Sequence, residues 1–265
     1  MKEVGLNWRI TRIGNLKKER VKLKYVVSNT YDQMSLKAAK YVADAIKAKP
    51  GIVLGLPTGG TPIGMYKELV RMHKEEGLDF SQVKTFNLDE YLGLAGDHNQ
   101  SYRYFMKSNL FSQVNIQERN INFLSGIASD PIAECKRYEE AIVAAGGIDL
   151  MILGIGVNGH IGFNEPAKEL KANSHLIDLA QSTIDANARF FDNKEEVPTR
   201  AITMGVGSIL RCKEIILLAS GKSKEDAIDG TTNGVVTTDL PASLLQLHSD
   251  VTLFLDDEAA AKVDR

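Results

Sequence analysis

Short, continuous apolar runs alternate along this chain with longer segments whose apolar residues recur at helical spacing. A run of consecutive apolar residues is typical of a strand that is covered on both faces of its sheet. We predict such strands at residues 25–27, 52–54, 83–86, 121–124, 150–153, 215–219 and 251–255.

Helices are predicted between several of these strands. The first begins after residues 28–30, Ser-Asn-Thr, whose side chains suit a helix N-terminus, and it ends before Pro50. A second follows the turn at 57–62, and a third spans about 131–145. Strands that alternate with helices along the whole chain predict an α/β fold, with a mainly parallel sheet and helices on both faces.

The chain has 265 residues and shows no internal repeat and no Pro- or Ser-rich linker, which predicts one domain over residues 24–265. Residues 164–198 form a candidate lid segment within it. The first 23 residues include a basic run and no long apolar stretch, and we expect them to be a disordered, dispensable extension. One hypothesis is that translation starts at Leu23.

Composition excludes several classes of protein. With 43% hydrophobic and 25% charged residues, the bulk of the chain is not disordered. A net charge of −2 gives no overall field for nucleic acid or an anionic membrane, so an anionic ligand needs a local site. Neither a secretory signal nor a membrane helix is recognisable. We expect a cytoplasmic protein, a monomer or homo-oligomer, that binds a small molecule.

The first candidate site is the turn after the second predicted strand. Thr58, Gly59, Gly60 and Thr61 precede a predicted helix, whose free N–H groups and positive end suit a phosphate. The turn lacks the Gly-Lys-Ser/Thr ending of a Walker loop. The alternative is an ordinary tight connection between strand and helix.

Two further loops carry acidic residues and a histidine. Asp89 and Glu90 follow the third strand, where they form either a functional pair or a solvated acidic loop. The loop after residue 153 presents Asn158, His160 and Glu165. A histidine oriented by a carboxylate is the ordinary arrangement for proton transfer.

Two other functions of these loops are disfavoured. Residues 154–159 match the G-x-G-x-x-G pattern, but Gly162 and Pro166 follow at once, so the long helix of a dinucleotide-binding unit cannot begin there. His160 with scattered carboxylates is weak evidence for a metal site, and the isolated Cys135 and Cys212 exclude a cysteine-based zinc site. We therefore expect no metal.

Cations in two other segments are candidate phosphate ligands. Arg189 lies within Asn-Ala-Arg-Phe-Phe, and Lys222 and Lys224 follow the strand predicted at 215–219. Most Lys and Arg side chains are simply solvated. A lysine at a turn from strand to helix is better placed than most to meet a phosphate.

Five motifs, in this order and spacing, resemble the glucosamine-6-phosphate deaminase family: LGLPTGGTP, FNLDEY, LGIGVNGHIGFNEP, NARFFD and SGKSK. The resemblance covers about residues 24–263. It implies a Rossmann-like sheet with a small antiparallel lid, and a role in amino-sugar catabolism. The implied reaction converts glucosamine 6-phosphate and water to fructose 6-phosphate and ammonia, without a metal or organic cofactor.

The resemblance also implies roles for individual residues. Asp89 matches the base that moves a proton from C2 to C1 of the open-chain sugar. His160 matches the residue that opens the sugar ring, and Glu165 matches its carboxylate partner. Asn158 stands where some members carry Asp, so we assign it an orienting role.

Substrate binding is implied for a second group of residues. The family's phosphate-binding residues match the turn formed by Thr58, Gly59, Gly60 and Thr61, together with Arg189 and Lys224. After Lys224 the chain departs from the family pattern, because two glycines and two threonines at 230–234 predict a short helix.

Two alternative functions remain. Another sugar-phosphate isomerase or lactonase would share the fold, but Asp89 together with His160 and Glu165 argues against it, because a lactonase needs no base that forms an enol. A sugar-phosphate sensor would need a DNA-binding helix-turn-helix, and the leading segment is too short and charged for one.

Overall fold

The structure, a computed structural model, describes residues 23–179, 184, 193 and 196–263. Its centre is a seven-stranded sheet in which all neighbouring strands are parallel. The strands are β1 (Lys24–Ser28), β2 (Val53–Leu56), β3 (Lys84–Asn87), β5 (Ile121–Asn122), β6 (Leu150–Leu153), β9 (Glu214–Ala219) and β10 (Val251–Asp256). Across the sheet their order is β1-β10-β9-β6-β2-β3-β5.

The described α-helices cover both faces of this sheet. They are α1 (Tyr31–Ala48), α2 (Ile63–Glu76), α3 (Tyr102–Asn109), α4 (Pro131–Ala144), α5 (Val206–Leu210) and α6 (Glu225–Thr232). Thr30 caps α1 by accepting a hydrogen bond from the Gln33 N–H, and Asp130 caps α4 in the same way. Gly77 ends α2 with a φ of 72°, a backbone conformation that favours glycine.

Two apolar layers hold the helices against the sheet. Along β6, Met151 and Leu153 belong to one layer and Leu150 and Ile152 to the other. Successive side chains of a strand point to opposite faces, so a strand buried on both sides must be apolar at every position. The prediction of an α/β fold with a doubly covered, mainly parallel sheet is therefore confirmed.

A second, antiparallel sheet lies next to the first. It consists of β4 (Asp89–Tyr91), β8 (Arg200–Thr203) and β7 (His175–Asp178), in that order. Residue Leu88 joins the sheets, because its N–H donates to Leu56 O at 3.3 Å and its carbonyl accepts from Met204 N at 2.7 Å. This sheet matches the small antiparallel element that the resemblance implied. Residues 164–198, which lie partly outside the described residues, contribute β7, and their function as a lid stays a prediction.

The predicted strands all occur, each with ends within two residues of the predicted ones. The short helix expected after Lys224 is also present, as the eight residues of α6. The sequence did not predict β4, β7, β8, α3 or α5. These elements are short, and their apolar residues are too few to show a period.

The boundary between the predicted extension and the folded domain lies one residue earlier than expected. Residues 1–22 of the predicted extension lie outside the described residues. Leu23, which we grouped with the extension, is 5% exposed and packs in the same apolar layer as Val251 and Leu253.

None of the described helices combines the length and the apolar character that crossing a membrane requires.

Replacing Leu23 by Ala tests whether the core begins at that residue. Because the change removes buried methyl groups, we expect the free energy of unfolding to fall by about 2 kcal/mol, the lower end for Leu→Ala in a core. Leu36→Ala is the matched control, since Leu36 is 47% exposed on α1. Urea denaturation checks both, and equal stability of the two variants would contradict the assignment of Leu23 to the core.

Candidate active site

A cavity of about 480 Å³ opens at the carboxyl ends of the central strands. Its walls are the loops that follow β2, β3 and β6, together with α3 and the turn after β9. The lining residues are Pro57, Thr58, Gly59, Gly60, Thr61, Pro62, Leu88, Asp89, Tyr102, Gly154, Ile155, Gly156, Val157, Asn158, His160, Gly162, Phe163 and Lys224. Ligands of open α/β sheets bind at this edge, so the cavity is the candidate active site.

The structure brings most of the predicted site residues together. Residues 58–61, Asp89, Asn158, His160 and Lys224 all line the cavity. Glu165 lies beside His160, with its Oε1 atom 2.8 Å from the histidine Nδ1. Arg189 lies outside the described residues.

The turn at 57–62 lines the cavity and contains backbone N–H groups without an acceptor among the described residues. Within the described part of the chain, none of the N–H groups from Thr58 to Thr61 donates a hydrogen bond. Gly59 has a φ of 101°, which a residue with a side chain rarely adopts. The buried Tyr66 hydroxyl anchors the start of the turn by donating to Pro57 O at 2.6 Å. Free N–H groups beside the start of a helix are suited to an anion, as the sequence predicted for this turn.

His160 is held by a carboxylate and an amide. Its Nδ1 lies 2.8 Å from Glu165 Oε1, and the Asn158 side-chain amide donates to Glu165 Oε2 at 2.6 Å. The backbone N–H of His160 donates in turn to Asn158 Oδ1 at 3.2 Å. A carboxylate at this distance favours the tautomer with the proton on Nδ1. The other ring nitrogen, Nε2, is then free to exchange a proton with a ligand.

Gly156 makes room for the histidine ring. A Cβ placed on Gly156 would lie 2.5 Å from the nearest ring carbon of His160, closer than atoms can approach. The Gly156 N–H also donates to His160 O at 2.9 Å. A residue without a side chain is therefore needed at position 156, beneath the imidazole ring of His160. This glycine of the G-x-G-x-x-G pattern is explained by the histidine, without a dinucleotide.

Asp89 is a buried carboxylate at the first position of β4. It is 7% exposed, and burial, reinforced by the charge of Glu90, raises the pKa of its carboxyl to about 8. Within the described residues, no N–H or O–H group donates to this carboxylate. A buried carboxylate with a raised pKa in a cavity is suited to general acid–base chemistry near neutral pH.

Glu90, the neighbour of Asp89, has a different environment. Its carboxylate accepts hydrogen bonds from the backbone N–H groups of Tyr91, Tyr102 and Arg103, at 2.9, 2.9 and 3.0 Å. The last two begin α3, so Glu90 caps that helix and fixes it to β4. Of the two acidic residues of this loop, Asp89 faces the cavity and Glu90 is structural.

Lys224 adds a positive charge to the lining of the cavity. The turn that carries it begins at Gly221, whose N–H donates to the buried Asp256 carboxylate at 3.0 Å. The Lys224 side chain is half-buried, and this burial lowers the pKa of its ammonium group. No carboxylate among the described residues forms an ion pair with it.

Tyr102 and Phe163 are lining residues that sequence reasoning missed. Their rings are 6.0 Å apart at 19°, nearly parallel, and the Tyr102 hydroxyl donates to the Tyr91 hydroxyl at 3.1 Å. The one sequence signal for α3, the helix that carries Tyr102, was Ser101, which caps it by accepting a hydrogen bond from the Tyr104 N–H.

Among the described residues, no three of the His, Cys, Asp and Glu side chains form a group that could hold a metal ion.

Comparisons with known proteins agree with this geometry. Residues 28–254 match the family described as glucosamine-6-phosphate isomerases/6-phosphogluconolactonase. A glucosamine-6-phosphate deaminase of Thermoanaerobacter sp. (strain X514) is 54% identical over 241 residues, which are 91% of this chain and 95% of that protein. One of Clostridium perfringens (strain 13 / Type A) is 52% identical, over 90% of this chain and 98% of the relative.

Two solved structures of similar proteins share this fold. A monomeric glucosamine-6-phosphate deaminase superimposes with a TM-score of 0.88 and 45% identity, over 91% of this chain and all of the other. A 6-phosphogluconolactonase of Trypanosoma cruzi gives a TM-score of 0.75 at 20% identity, over 92% of this chain and 98% of that one, which shows a shared fold alone. The chain belongs to the family of glucosamine-6-phosphate isomerases and 6-phosphogluconolactonases.

Proposed function

We propose that this chain is a glucosamine-6-phosphate deaminase, an enzyme of amino-sugar catabolism that converts glucosamine 6-phosphate and water to fructose 6-phosphate and ammonia. The observation that carries the proposal is one cavity that combines a buried carboxylate, Asp89, a carboxylate-bound histidine, His160, and a turn with free N–H groups. Relatives that are 52–54% identical bear the same name.

His160 opens the sugar ring in this proposal. Opening requires a proton to leave the hydroxyl on C1 and a proton to reach the ring oxygen. The Nε2 atom of His160 can accept and return a proton, because Nδ1 is bonded to Glu165. Asn158 keeps the Glu165 carboxylate in place and takes no proton itself.

Asp89 then moves a proton between neighbouring carbons. Its carboxylate removes the proton from C2 of the open-chain amino aldehyde and returns it to C1, while the C1 oxygen takes up a proton that the nitrogen gives up, so that C1 becomes a hydroxymethyl carbon. The product is an imine at C2, to which water adds, and the resulting carbinolamine loses ammonia to leave the ketone. One base suffices because C1 and C2 are adjacent, and it must be ionised to begin.

The phosphate of the substrate is assigned to the other end of the cavity. The N–H groups of the turn at 58–61 and the Lys224 ammonium provide donors and positive charge there. Arg189 belongs to the same proposal from its sequence motif. Binding through the phosphate supplies energy remote from the reacting carbons and so positions C1 and C2.

A cytoplasmic location is part of this proposal. Cys135 and Cys212 are both buried as free thiols. Burial raises the pKa of these thiols to about 11 and about 12, which keeps them unreactive. A pair of unlinked cysteines suits a reducing compartment.

Release of ammonia is the test of the proposed function. The purified protein is incubated with glucosamine 6-phosphate, and ammonia and fructose 6-phosphate are measured in parallel. Equal amounts of both are expected. Hydrolysis of 6-phosphogluconolactone without any release of ammonia would instead identify a lactonase.

Asp89→Asn is expected to abolish turnover while substrate still binds. The amide keeps the shape of the side chain but cannot take a proton, and general-base catalysis contributes on the order of 10²–10⁴ in rate. Asp97→Asn is the matched control, because Asp97 is an exposed residue of the loop that follows β4. Exchange of the C2 proton with solvent is followed by NMR, and exchange at the unaltered rate in Asp89→Asn would disprove the role of Asp89.

The pH dependence of kcat/KM should report the raised pKa of Asp89. Since this pKa is about 8, only about a tenth of the free enzyme carries the ionised base at pH 7, and kcat/KM should rise with pH through 8. A profile that is flat between pH 6.5 and 9 would contradict this.

The same ionisation should affect stability. The unfolded Asp ionises near pH 4 and the folded one near 8, so the native state binds more protons in this interval and loses stability as the pH rises. Asp89→Asn is free of this penalty. The difference in Tm between Asp89→Asn and the parent should therefore grow from pH 5 to pH 8, and a difference independent of pH would be the contrary result.

Lys224→Ala is expected to weaken binding of sugar phosphates about ten- to a hundredfold, because a charge-assisted contact contributes roughly 1.5–3 kcal/mol. Lys222→Ala is the matched control, since Lys222 is an exposed cation on the same turn. Isothermal titration with fructose 6-phosphate compares the two. Equal affinity of the Lys224→Ala variant and the parent would remove Lys224 from the phosphate site.

A further inference from the structure

The hydroxyl of Tyr31 bonds to the turn at 57–62 and the start of α2 from outside the cavity. Tyr31 is the first residue of α1, and its hydroxyl oxygen lies 3.0 Å from Thr61 O and 3.3 Å from Gly60 O. The same oxygen accepts a hydrogen bond from Gly64 N at 2.8 Å. One side chain thus contacts three backbone groups within five residues.

These contacts bear on where the N–H groups of the turn point. In a planar trans peptide the C=O and the following N–H point in opposite directions. Tyr31 approaches the Gly60 carbonyl, so the Thr61 N–H of the same peptide is turned away from α1. Residues 57–62 line the cavity, whereas Tyr31 does not.

Gly64 makes the close approach possible. A Cβ placed on Gly64 would lie 2.9 Å from the Tyr31 hydroxyl oxygen and 2.4 Å from Ser35 Oγ. Any larger residue would therefore push α1 and the first turn of α2 apart. The bond to Gly64 also occupies an N–H of that first turn, so the N–H groups left for a ligand are those at 58–61.

We propose that Tyr31 is a positioning residue for phosphate binding: its hydroxyl holds the Gly60 carbonyl on the side of α1 and thereby directs the Thr61 N–H of the same peptide into the cavity, while its contact with the Thr61 carbonyl fixes the end of the turn. This role rests on the proposed function, in which that turn binds the substrate phosphate. Tyr31 itself does not touch the substrate. Its loss therefore affects binding rather than the chemical step.

Tyr31→Phe tests the proposal, because it removes the hydroxyl and retains the ring. The expected result is a three- to tenfold higher Kd for inorganic phosphate and for fructose 6-phosphate, with KM for glucosamine 6-phosphate raised by the same factor. The kcat should stay within twofold of the parent value. Tyr104→Phe is the matched control: Tyr104 is 40% exposed, and its hydroxyl makes no hydrogen bond to a described residue.

The measurements separate positioning from mere stabilisation. A lower Tm with unchanged Kd and KM, measured well below the Tm, would overturn the role of Tyr31 and leave the proposed function intact. A fall in kcat at unchanged KM would overturn it as well. Failure of the parent protein to bind either phosphate ligand or to release ammonia would instead defeat the proposed function, and this inference with it.

Discussion

Parallel pairing of the central strands is the constraint on which the site depends. Strands β6, β2 and β3 are neighbours, with Leu54 beside both Leu150 and Thr85. Because all three run the same way, the segments that follow them must emerge at one edge of the sheet, about one strand spacing apart. Those segments carry the turn at 57–62, Asp89 and His160, which are remote in sequence and line one cavity.

Three buried carboxylates, those of Glu90, Asp256 and Asp89, differ in the number of hydrogen-bond donors around them. Glu90 and Asp256 are 1% and 6% exposed, and each accepts several hydrogen bonds, from helix or turn N–H groups. Asp89 is 7% exposed and receives none from the described residues. Burial raises the pKa of both Asp89 and Glu90, but three backbone donors oppose the shift at Glu90, whereas the pKa of Asp89 rises without such opposition to about 8. The burial cost that makes Asp89 a poor structural residue makes it a suitable base.

Much of the fold and of the site could be predicted from the sequence, because both depend on local patterns. A strand buried on both faces needs an unbroken apolar run, and β6 is such a run. The loops after such strands are then the places to search, and Asp89, His160 and Lys224 were found there. Glycine spacing also predicted correctly that no long helix follows residue 159.

The remaining features depend on contacts between distant residues. Strand β4 has three residues, two of them acidic, and it exists because Asp89 and Tyr91 pair with Thr203 and Ala201. Tyr102 reaches the cavity because Glu90 holds the start of α3. No pattern within a single segment encodes either contact. Propensity alone could not reveal them, since tertiary pairing decides the structure of such short elements.

Each part of the site is held by groups that are not assigned to the substrate. Glu165 and Asn158 hold the imidazole, the small sheet holds Asp89, and Asp256 holds the turn that carries Lys224. Because these side chains are already ordered, little of the substrate's binding energy is needed to order them. In the proposed reaction, more of the binding energy of the phosphate group is then available to align C1 and C2 with the base. In the proposed site, the hydroxyl groups of Tyr66 and Tyr31 belong to this supporting set, since both bond to the backbone of the turn from outside the cavity.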